Sequence, residues 1–137
     1  MYLELQLSEI MLEEYEMLKS LYEALIEQNK YLVERQVFLL DKIVKVIEER
    51  SRNVARLEVQ RRKITGDRPM REIIRESGDK KLEKVYLDIV NLLEKMKFQK
   101  DTNEALVKQW LGFANQMLRA LNPNRQAKTY NAFGKSR

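Results

Sequence analysis

A chain of 137 residues has room for one domain with a modest core. With 44% apolar and 34% charged residues, only four glycines and two prolines, it has the composition of a long-helix or coiled-coil protein. It contains neither cysteine nor histidine, which excludes a disulfide framework and cysteine redox chemistry and removes the common nucleophile–base pairs and most transition-metal sites.

The net charge of +5 is unevenly placed. The last acidic residue is Glu104, and six cations follow it: Lys108, Arg119, Arg125, Lys128, Lys135 and Arg137. Residues 1–30 carry seven Glu against Lys19 and Lys30, whereas residues 31–75 carry twelve Lys or Arg against seven acids. The opening stretch MYLELQLSEIMLEEYE interrupts its apolar residues with acids, so it does not read as a signal peptide. No run of about 18 apolar residues predicts a membrane span.

The first predicted helix covers about 3–33. Its seam runs Met11, Tyr15, Leu18, Tyr22, Leu25, Asn29, Leu32 in alternating steps of four and three. Around NKYLVERQV (29–37) the seam shifts phase by one residue. A second helix is predicted over 36–64, with Leu40, Ile43, Ile47, Val54, Leu57 and Ile64 apolar and Arg50 and Arg61 at intervening seam positions. An acidic helix followed by a basic one favours an antiparallel hairpin over one continuous helix. The acids Glu13-Glu14, Glu48-Glu49 and Asp88 are expected on solvated faces. The basic run Arg50–Lys63 is expected to pair helices or face solvent rather than bind phosphates.

The connection TGDRPMREIIRESGD (65–79) holds a short predicted helix over 69–76, with Met70, Ile73 and Ile74 as its apolar face. Gly66 and Gly78 are its boundaries, and Asp79 is the expected N-cap of the next helix. That helix, predicted over 80–121, has the longest seam: Leu82, Val85, Ile89, Leu92, Met96, Gln99, Asn103, Leu106, Trp110, Phe113, Met117. It ends before Pro123. At about 60 Å it exceeds the first two, at about 42 Å, so its C-terminal end is expected to extend past them. Gln99 and Asn103 on the seam read as a buried polar pair that fixes register. Trp110, Phe113 and Met117 suit either a core or a face that a partner helix covers.

The expected fold is therefore all-α: an antiparallel, coiled-coil-like bundle of three long helices with a short linker helix over 1–122, followed by a flexible tail over 123–137. The tail, PNRQAKTYNAFGKSR, sets Tyr130 and Phe133 among basic, polar and small residues, either docked on the bundle or kept for a partner. No glycine-rich phosphate loop, catalytic residue, cofactor or metal site is expected.

A helical hairpin, a linker, a third helix with N-x-x-L (Asn103, Leu106) and W-L-G-F (Trp110 to Phe113), then a tail with Y-x-x-x-G (Tyr130 to Gly134), resembles the FlgN-type flagellar export chaperones. The resemblance spans nearly the whole chain. The basic second helix and basic tail depart from its usual pattern. It implies a cytoplasmic, non-enzymatic chaperone, monomeric or weakly dimeric, that holds the hook-associated proteins of the hook–filament junction. Such a chaperone delivers them to the export gate and ATPase components of the flagellar type III apparatus. The resemblance, with the exposed-face reading, places client binding at Asn103, Leu106, Trp110, Phe113, Met117, Leu118 and Leu121, and docking to client or gate at Tyr130, Phe133 and Gly134. No nucleic acid and no membrane insertion are implied. Two other readings of the residues are a structural coiled-coil adaptor and a nucleic-acid binder using Arg50–Lys63 and the tail.

Overall fold

Heptad seams and the scarcity of helix breakers lead to four helices in the computed structural model, which describes residues 2–121. These are α1 (Tyr2–Glu34), α2 (Val37–Thr65), α3 (Met70–Ser77) and α4 (Lys80–Leu121). No strand occurs among the described residues. The expected tail, with Tyr130, Phe133 and Gly134, lies outside them.

The phase shift near residues 29–37 marks a real break. Arg35 adopts a left-handed φ of 56°, Arg35 N–H donates to Leu32 O at 3.3 Å, and Gln36 N–H donates to Tyr31 O at 2.9 Å. That pair of bonds is a Schellman closure, which glycine usually makes. An arginine there costs about 1 kcal/mol of backbone strain. The chain then reverses into α2. Arg50 Nη1 donates to Ser20 O at 2.7 Å, and Arg61 meets Glu14. Partners thus fall in number on α1 as they rise on α2, so the two helices are antiparallel.

Breaks in the connection follow from their residues. Gly66 (φ 63°) ends α2 by donating its N–H to Arg62 O at 2.8 Å. Pro69 stands just before α3, and Gly78 (φ 64°) closes it in the left-handed conformation, donating to Ile74 O. Asp79 caps α4 as expected: its Oδ1 accepts from the N–H groups of Lys81 and Leu82 at 2.9 and 3.3 Å.

The division at Asn103 separates two units, Met1–Asn103 and Glu104–Arg137. The core lies in the first. One cluster joins Leu7, Ile10 and Met11 of α1 with Leu57 of α2, Ile73 and Ile74 of α3 and Leu82 of α4. A second joins Leu18 and Leu25 to Leu92 and Met96, with Ile89 packed against both clusters. Within this unit α4 therefore runs parallel to α1. Because α1 packs against both α2 and α4, its buried stripe is wider than one seam and takes in Ile10, Glu14 and Ala24.

Candidate functional site

The polar positions on the seams are the first element. Asn103 is only 3% exposed. Its Nδ2 donates to Leu25 O and to Gln28 Oε1, both at 2.9 Å. Its Oδ1 accepts from Asn29 Nδ2 at 3.1 Å and from Gln99 Nε2 at 3.0 Å. Both amide donors and both acceptor directions are used, so the group is satisfied inside the unit. Asn29, read from sequence as an interruption of the α1 seam, is one of its partners. Asn103, braced by Gln99 of its own helix, thus fixes the register of α4 on α1, because sliding one helix by a turn separates its three bonds to Leu25, Gln28 and Asn29.

Glu14 corrects an expectation. It was assigned to a solvated face, but it is 7% exposed and lies on the α1 side of the core. Arg61 explains this. The Arg61 Nε lies 2.9 Å from Glu14 Oε1, and its side chain is itself 19% exposed. The N–H is not aimed squarely at the oxygen, so Oε1 accepts no aligned hydrogen bond. Burial pushes the Glu14 carboxyl above its ordinary value of 4.5. Arg61 opposes that shift, and Glu58 adds to it. The signal in the sequence was Arg61, a cation in an apolar seam, which needs an anion on the facing helix. Arg50 and Arg61 are both committed to α1, which removes two cations from the stretch considered for phosphate binding.

Leu106, Trp110, Phe113, Met117, Leu118 and Leu121 fall in the second unit, on the last five turns of α4. Leu106 and Trp110 are half-buried. Every residue from Leu111 to Leu121 is exposed. Among them Phe113 is 47% exposed, Met117 44%, Leu118 52% and Leu121 75%, and Leu111 adds another apolar side chain at 59%. This segment was read as either core or partner face. The structure places it on the surface, with apolar residues at 111, 113, 117, 118 and 121 and only Arg119 charged. Asn103 belongs to the interior of the first unit.

Among the described residues, no group of three or more Asp or Glu side chains is placed to hold a metal ion. Among the described residues, no helix is long and apolar enough to cross a membrane.

Paired helices, a core fixed in register by one amide, and an exposed apolar run at a helix end define an all-helical protein among the described residues. The model of the FlgN protein family matches residues 1–137, and the chain belongs to that family. Neither a curated protein nor a solved structure is matched by the chain.

Proposed function

We propose that the chain is a flagellar export chaperone, and that the exposed end of α4 holds its client. The observation that carries this reading is the unbroken exposure of residues 111–121, in a stretch that includes Leu111, Met117, Leu118 and Leu121. Large apolar side chains in an exposed cluster mark an interaction surface. Their helical spacing fits an amphipathic partner helix, and methionine adapts to different partners. Membership of the FlgN family supports the chaperone role.

In this reading the clients are hook-associated proteins, whose terminal helices otherwise self-associate. Leu106, Trp110, Phe113, Met117, Leu118 and Leu121 contact them, and Asn103 sets where on α4 that face begins. Within the first unit α2 runs antiparallel to both α1 and α4. Tyr130, Phe133 and Gly134 dock on the client or on the export gate, and the chaperone works in the cytoplasm as a monomer or weak dimer without catalytic activity.

Calorimetric titration with a purified hook-associated protein and with export-gate components tests the reading. Tyr130→Ala together with Phe133→Ala should weaken one of these affinities by about 2 kcal/mol, the loss usual at an aromatic anchor. That is roughly thirtyfold in Kd. The melting temperature should stay within about 2 °C of the parent, given the shift expected per kcal/mol in a chain of this size. A sharp fall in melting temperature with unchanged affinities would show the aromatics to be part of the core.

A further inference from the structure

The exposed end of α4 has two unlike edges, both within the second unit. At about 100° per residue, Leu111, Phe113, Met117, Leu118 and Leu121 share one half of the helix. Beside Phe113, one turn before and one turn after it, stand the neutral amides Gln109 and Gln116. Beside Leu111 and Leu118 the edge is formed by Lys108, Asn115 and Arg119, at steps of seven and four. Lys108 and Arg119 are eleven residues apart on that edge, which is about three turns or about 16 Å.

These two cations are exposed and form no ion pair among the described residues. The rest of the chain treats its cations differently. On α2 and at the start of α4, Lys45 is met by Asp41, Arg62 by Glu58 and Lys84 by Asp88, each one turn away on the same helix. That arrangement stops with Glu104. From Ala105 to Arg137 the sequence has six cations and no acidic side chain, so the segment itself holds no carboxylate to meet Lys108 or Arg119. An apolar face flanked by unmet charges of one sign selects a partner whose flanks carry the other sign.

We propose that the helix covering this face carries an acidic edge: two Asp or Glu residues eleven positions apart, meeting Lys108 and Arg119 while its apolar stripe lies on Leu111 and Leu118. The inference rests on the reading of the α4 end as the client-binding surface and adds the charge that the client helix must bring. Carboxylates at that spacing reach both cations whichever way the client helix runs.

The test uses the full chain and three labelled 18-residue helical peptides with one leucine stripe. They are identical except for Glu, Gln or Lys at two edge positions eleven residues apart. Fluorescence anisotropy in low salt should give the Glu peptide a Kd at least tenfold below that of the Lys peptide, with the Gln peptide between them. High salt should compress the ratio, because exposed charges are screened. Lys108→Glu together with Arg119→Glu should invert the order, and circular dichroism would establish that the variant is folded. The charge requirement alone is overturned if the three peptides bind equally while Leu118→Asp together with Leu121→Asp abolishes binding. It is also overturned if the preference for Glu survives the double charge reversal, since the cations beyond Pro123 would then be its source. If no peptide binds, or if binding survives Leu118→Asp with Leu121→Asp, the client-binding reading of this face falls together with the inference. Sedimentation showing a second copy of the chain that excludes the peptides would overturn the proposal in the same way.

Discussion

Asn103→Ala should destabilise the protein by about 3 kcal/mol, the upper range for leaving buried polar partners unsatisfied. The amide makes four hydrogen bonds, to Leu25 O, Gln28, Asn29 and Gln99. Alanine removes them all at once. Gln28, Asn29 and Gln99 are half-buried, so water recovers part of their bonding. That is why the expected loss is well below the sum of four bonds. Gln99→Ala removes only one of these bonds, from a more exposed residue, and should cost about 1 kcal/mol. Urea denaturation of both variants measures the difference. Equal losses would show that Asn103 is not the organising group.

Arg61→Met should cost about 3 kcal/mol at neutral pH, because it leaves Glu14 as a buried charge without its counter-ion. The effect has a defined pH dependence. The Glu14 carboxyl is already raised above 4.5 in the folded protein by burial, and Arg61 is the main influence holding it down. A carboxyl raised on folding favours the fold while it is protonated. That contribution is present below about pH 4.5 and is lost as pH rises through the folded value. Removing Arg61 raises the folded value further. The gap between parent and variant should therefore be small at pH 4 and widen toward pH 7. Glu58 from α2 and Tyr86 from α4 also line the cavity beside Glu14. In the double variant Glu14→Gln, Arg61→Met no buried charge is left, and most of the stability should return. Thermal melts of the four proteins at pH 4 and pH 7 complete the cycle. A pH-independent loss in Arg61→Met would show that the arginine acts by packing alone.

Much of the architecture was readable because it is written in local signals. Four-three seams place the helices, Gly66 and Gly78 end two of them, and Asp79 starts the last. The hairpin followed from a seam that changes phase together with a change of charge. What was not readable is pairing between distant residues. Glu14 looks like any helical surface acid until Arg61 is brought 2.9 Å from it by the antiparallel register. Likewise Leu7, Ile10 and Ala24 lie beside the seam that was read, and they are buried because α1 packs against two helices rather than one. The apolar spacing of residues 106–121 was compatible with both core and surface. Periodicity records which side chains share a face, and only the arrangement of the other helices decides whether anything covers it.

The central claim is that the last turns of α4 bind a client and contribute little to the fold. It is tested most directly by replacing Leu118 and Leu121 with Asp together and measuring, on one preparation, the melting temperature and the Kd for a hook-associated protein. Leu118 and Leu121 are 52% and 75% exposed, so the melting temperature should hold within about 2 °C. The Kd should rise at least about thirtyfold, the equivalent of about 2 kcal/mol at an interface anchor. An unchanged Kd with an intact fold would contradict the account.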